Sequence, residues 1–133
     1  MRRNRQLEIG SALVLAFILA ACGASARQKT IRITYESVNV AADSLEQFTK
    51  IHGEALIRDA KARGATKEQA DAELAAFLAK VDHAALTKNA AYRMVAAAAA
   101  LNDDRSLATL LQVAAMLMTE LKELGVKLPG VAP

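Results

Sequence analysis

Hydrophobic positions fall along this chain in four blocks, one continuous and three periodic. The continuous block runs from Ile9 to Ala21 and is broken only by Gly10 and Ser11. In the second, Val38, Ala41, Leu45, Phe48, Ala55 and Ala62 recur at helical spacing, and His52 shares their stripe. Such spacing brings side chains to one face and predicts a helix from near Thr34 to Arg63. Ile31, Ile33 and Tyr35 alternate instead, so the residues just before this helix read as extended. Gly53 lies inside the pattern and costs about 1 kcal/mol relative to alanine. Gly64 is a natural stop, free to take the left-handed conformation that closes a helix.

Thr66-Lys67-Glu68-Gln69 has the form of a capping box and opens the next helix. Its stripe is Ala70, Leu74, Phe77, Val81, Ala84, Ala91, Val95 and Ala98, ending near Leu101, with a bend expected where Thr87-Lys88-Asn89 interrupts. Asn102-Asp103-Asp104 supplies caps and negative charge for a third helix start. That helix carries the cleanest pattern, Leu107, Leu110, Ala114, Leu117, Leu121 and Leu124, widened by Leu111 and Met118. Gly125 stops it and Leu128-Pro129 leads the chain away. Links of a few residues make neighbouring helices antiparallel. The predicted fold is all-α, an up-down-up bundle of about three helices over residues 30–128. A long helical hairpin that dimerises is the alternative.

The continuous block needs a different account. Its 13 residues follow Met-Arg-Arg-Asn-Arg, a positively charged start. As a helix they span about 20 Å, short of the ~30 Å hydrocarbon core but long enough for the apolar region of an export signal. The block ends Leu19-Ala20-Ala21-Cys22-Gly23, which resembles the lipobox of bacterial lipoproteins. The resemblance covers residues 1–23 only. It implies that Cys22 receives a diacylglycerol group, that a peptidase cuts between Ala21 and Cys22, and that the new amino group is acylated. Residues 1–21 are then a signal peptide and the membrane is a partner through the lipid on Cys22. Gly23, where an aspartate would favour retention in the inner membrane, points to the outer membrane facing the periplasm in a Gram-negative host. The competing readings are ordinary secretion, with Ala20-Ala21-Cys22 or the small-x-small Ala24-Ser25-Ala26 as the cleavage site, and an uncleaved anchor. Residues 22–29 read as the lipidated cysteine and a short polar tether, reaching about 25 Å when extended. Residues 129–133 read as a C-terminal tail. Cys22 is the one cysteine, so no intrachain disulfide can form.

Removing residues 1–21 also changes the charge. The whole chain carries 17 basic and 14 acidic residues; without Arg2, Arg3, Arg5 and Glu8 these become 14 and 13, a net +1. That is no footprint for nucleic acid, and Tyr35, Phe48, Phe77 and Tyr92 form no stacking platform. His52 and His83 have no ligands at metal-binding spacing, since His52/Glu54 and Asp82/His83 do not share helix faces, and both read as surface or boundary residues. Glu68, Asp71 and Glu73 are explained by the dipole of the helix they begin. No nucleophile elbow, phosphate loop or Cys–His pair is present. The sequence therefore predicts no catalytic residues, no metal, no cofactor and no enzyme.

Two features remain. Ala96–Ala100 makes one stretch of the second helix apolar on every side, for a tight contact with another chain or for packing between two neighbours. In the third helix Val113, Ala115 and Met116 accompany the stripe, so Leu107, Leu110, Leu111, Leu117, Met118 and Leu121 are a candidate interaction face. By elimination, the sequence predicts a small envelope lipoprotein that holds a protein partner, or another copy, at the membrane. Alternatives are a module that binds a lipid or small apolar ligand, and a phage or mobile-element lipoprotein acting in lysis or exclusion.

Overall fold

A computed structural model describes residues 23–129. Three helices follow one another: α1 (Ala24–Ala62), α2 (Lys67–Leu101) and α3 (Asp104–Leu124). All three pairs of helices are in contact, and the described residues contain no strand. The predicted three-helix, up-down-up bundle is the observed fold.

Each junction is fixed by local chemistry. At the first, Gly64 takes φ 71°, and the amides of Gly64 and Ala65 donate to the carbonyls of Lys61 and Ala60. Thr66 then caps α2 through its side chain, and Gln69 reaches back to the Thr66 amide at 2.9 Å. The capping box is thus complete. At the second junction Asn102 adopts the left-handed conformation, φ 48°, which asparagine tolerates better than most side chains. Asp103 caps α3 by accepting the Ser106 amide at 2.7 Å. Gly125 (φ 89°) ends α3, with the Val126 amide donating to the Leu121 carbonyl at 2.9 Å. Val126 and Leu121 also share the core, as the Schellman arrangement requires.

The core forms as two clusters. Val38, Ala41 and Leu45 of α1 meet Val81, Ala84 and Ala91 of α2 and Ala114, Leu117 and Leu121 of α3. Nearer the α2–α3 turn, Ile31, Ala98, Leu107 and Leu110 form the second. Large and small side chains face each other. The fully buried leucines all belong to α3, whereas most buried positions of α2 are alanines. Burying each such leucine contributes about 1.5–3 kcal/mol, and the alanines let the backbones approach closely enough for it.

Three sequence expectations change. First, α1 begins at Ala24, not near Thr34, so residues 24–29 are helical and not an extended tether. Ile31, Thr34 and Val38 are buried at helical spacing, while Ile33 and Tyr35 face outward. Thr34 hides this pattern because it is polar, yet its hydroxyl donates to the Thr30 carbonyl at 2.8 Å and so can be buried. Second, α2 is helical without interruption through Thr87-Lys88-Asn89. Third, the α1 stripe shifts near its end: Ala62 is exposed, whereas Gly53 and Ala60 are buried, while His52 is exposed as expected of a surface or boundary residue. The cause is the length of α3. Helices of 39 and 21 residues span about 58 and 32 Å. Beyond the end of α3, α1 packs on α2 alone and buries a narrower, rotated stripe.

Candidate functional site

The six residues of the expected interaction face are part of the core. Leu107, Leu110, Leu117 and Leu121 are at most 1% exposed, and Leu111 and Met118 are half-buried against the two clusters. This corrects the sequence reading. An alanine-rich α2 supplies little volume, so the wide apolar face of α3 is consumed in filling the bundle. Only its outer edge stays open, where Met116 and Ala115 line a shallow groove of about 430 Å³ with Gln112, Thr119 and Glu123.

The large apolar side chains that remain exposed lie on outer surfaces. Ile33, Val40 and Ile51 share one outward line of α1, since 18 residues make five full turns. Leu86 stands on α2, and Leu101 ends it. Ala96, Ala99 and Ala100 are also exposed. The alanine run thus packs inward through Ala98, with Ala97 half-buried beside it, and leaves Ala96, Ala99 and Ala100 open.

Polar contacts were less visible in the sequence. Glu120, mostly buried, accepts the Thr87 hydroxyl at 3.0 Å and lies 3.4 Å from Nδ1 of His83. Its Oε2 is buried without a hydrogen-bond partner. The polar interruption at Thr87 is therefore one half of an α2–α3 contact, and nothing local to either residue announces it. The Tyr92 hydroxyl donates to Asn39 at 2.7 Å, and its ring meets Tyr35 edge-on at 6.1 Å. Burial, then repulsion from Tyr35 and Asp43, raises the Tyr92 pKa above the ordinary tyrosine value.

His52 stacks on Phe48 with ring centroids 4.0 Å apart and borders an open groove of about 680 Å³ with Leu56, Asp59, Arg63 and Phe77. His83 lies on a different helix, far along the chain. Glu73 pairs with Arg63 at 2.7 Å, while Glu68 and Asp71 are exposed in the first turns of α2. Among the described residues, no three His, Cys, Asp or Glu side chains gather as metal ligands do. No helix among them is long and apolar enough to cross a membrane. Ala21 and Cys22, the expected cleavage and lipidation sites, lie outside the described residues. Comparison with protein-family models finds no match to this chain, and comparisons with curated proteins and with solved structures find none either.

Proposed function

We propose that this chain is the precursor of a small envelope lipoprotein whose helical body serves as an interaction or scaffold module at the membrane. The observation that carries the reading is Leu19-Ala20-Ala21-Cys22 at the end of a 13-residue apolar run behind an arginine-rich start. The small side chains of Ala20 and Ala21 suit an extended segment entering a narrow cleavage site, and the thiol is the nucleophile that a lipid donor requires. Two or more acyl chains on Cys22 give stable attachment, at about 0.8 kcal/mol per buried CH₂, where a single chain holds only marginally.

The helical body supports the rival cleavage site poorly. A cut after Ala26 would remove the first turn of α1 and leave Arg27 as the new terminus. Arg27 is 3.2 Å from Asp104 and 3.4 Å from Asn102, where it ties α1 to the α2–α3 turn. A cut before Cys22 leaves all of α1 intact.

Intact mass of the membrane fraction tests the anchor. The expected species lacks residues 1–21 and carries acyl mass on Cys22, and Cys22→Ser abolishes both changes. A lipid-free product beginning at Arg27 would overturn the reading. Cross-linking in living cells, followed by mass spectrometry, tests the scaffold role. One reproducible envelope protein is the expected result. Self-links alone, or none, would replace the scaffold by a homo-oligomer or a ligand-binding bundle.

A further inference from the structure

The end of the bundle nearest Cys22 in the chain carries an open apolar surface. α1 is helical from Ala24, so only Gly23 separates the described helix from the cysteine. Arg27, one turn into α1, contacts Asn102 and Asp104 in the α2–α3 turn. The last turn of α2 is therefore held beside the start of α1. From Met94 to Leu101 α2 has no polar side chain, and Ala96, Ala99, Ala100 and Leu101 are exposed there. Leu101 is 63% exposed, among the most open large apolar residues described.

We propose that this corner, with Leu101 at its tip, inserts into the interface of the bilayer that holds Cys22, so that the bundle stands end-on at the membrane. The inference rests on the lipid-anchor reading above. Its occupant follows from where the chain outside the described residues ends: Cys22, which on that reading carries the lipid once residues 1–21 are removed, brings a membrane to this end of α1. A flexible tether would let the body drift from the surface, but a helix starting at Ala24 leaves no such slack. The apolar stretch of eight residues rises about 12 Å, and interfacial helices bury their apolar faces about 5–10 Å deep. Charge is not the attraction. Arg27, Lys29 and Arg105 near this end exceed Asp103 and Asp104 by a single positive charge, so zwitterionic lipid should serve nearly as well as anionic lipid.

The chain contains no tryptophan, which makes a single introduced indole a clean depth probe. Leu101→Trp and Leu86→Trp would each be made in the full chain, expressed in a bacterium, extracted from its membranes and reconstituted into phosphatidylcholine vesicles, with and without brominated acyl chains. Leu86 is an equal control because it is 65% exposed on the same helix, about 22 Å further from the corner. Both substitutions are at exposed positions and leave the core intact. The expected result is a blue-shifted L101W emission that brominated lipid largely quenches, with L86W unquenched. Quenching of both would mean that α2 lies flat on the bilayer, which overturns the end-on placement. Quenching of neither, in protein that floats with the vesicles and carries acyl mass, would overturn the inference and leave the anchor standing. Protein that neither floats nor carries acyl mass would remove the anchor reading and the inference with it.

Discussion

Leu117 and Leu86 are chemically identical, and their surroundings set their worth. Leu117 is wholly buried between α1 and α2, whereas Leu86 is 65% exposed. Leu117→Ala should therefore cost about 2–5 kcal/mol, the transfer term plus the cavity left behind. Leu86→Ala should stay within about 0.5 kcal/mol of the parent. Urea unfolding of the two variants side by side checks the contrast, and equal losses would mean that Leu86 is covered in solution. Asp103 makes a second residue-scale case, this time in pH. Its carboxylate accepts the Ser106 amide, then the Ser106 hydroxyl, and both bonds hold its pKa below the ordinary aspartate value. A depressed folded-state pKa stabilises the fold at pH above the unfolded value, and the effect disappears as pH falls through the folded one. The melting temperature of Asp103→Ala should thus lie below that of the parent at neutral pH. The two should converge as the solution is acidified below the usual aspartate range, near about 3.9. A gap that persists in acid would show that the cap acts through something other than its charge.

At the scale of elements, how much the sequence reveals depends on how many neighbours an element has. The α3 stripe from Leu107 to Leu121 was legible residue by residue, because a helix flanked by two others along its whole length buries a wide, regular face. The capping box at Thr66 and the stop at Gly125 were legible because they are local. The start of α1 was not, since Thr34 interrupts its buried line with a hydroxyl that bonds within the helix. Ala62 falls on a stripe that presumes a neighbour, but α3 ends before reaching it, whereas His52 is exposed, as its reading as a surface or boundary residue has it. The candidate interaction face failed for the related reason that periodicity marks an apolar face without saying what covers it. Glu120 and Thr87 met no rule of spacing, because their contact crosses two helices. Gly53 tests the same reasoning in the opposite direction. A β-carbon built there would meet Leu74 and Phe77 at 3.9 and 4.0 Å, ordinary contact distances. Gly53→Ala should accordingly stabilise the protein by about 0.5–1 kcal/mol through helix propensity and reduced freedom of the unfolded chain. A rise in the urea midpoint with unchanged slope would confirm it, whereas a fall would mean that α1 and α2 approach more closely at Gly53 than these distances allow.

At the scale of the molecule, the described residues form an antiparallel hairpin of two long helices, half covered by a third. In the covered half, α1 and α2 pack against α3, and both buried clusters lie there. In the other half, from about residue 52 to residue 76, the two helices hold only each other. Ala60 and Gly53 are the buried residues of that segment, supported by half-buried Leu56 and Leu74. Little apolar area is removed from water there, so its amides should open by local unfolding at much less than the free energy of global unfolding. The covered half should open only when the whole bundle does. Native-state hydrogen exchange therefore should show the slowest amides around Val38–Leu45, Val81–Ala91 and Leu107–Leu121. Those of residues 54–62 and 67–74 should exchange far faster despite lying in equally regular helix. Uniform protection along α1 would contradict this division and require another surface, such as a second copy, to cover the arm. The gradient also bears on placement. If the corner at Leu101 rests on the bilayer, the covered half is the rigid base and the two-helix arm, with the groove beside His52 and Phe77, projects into the aqueous compartment. Vesicle attachment should then slow exchange around residues 96–104 and leave the arm unchanged, which sets the membrane contact apart from a general gain in stability.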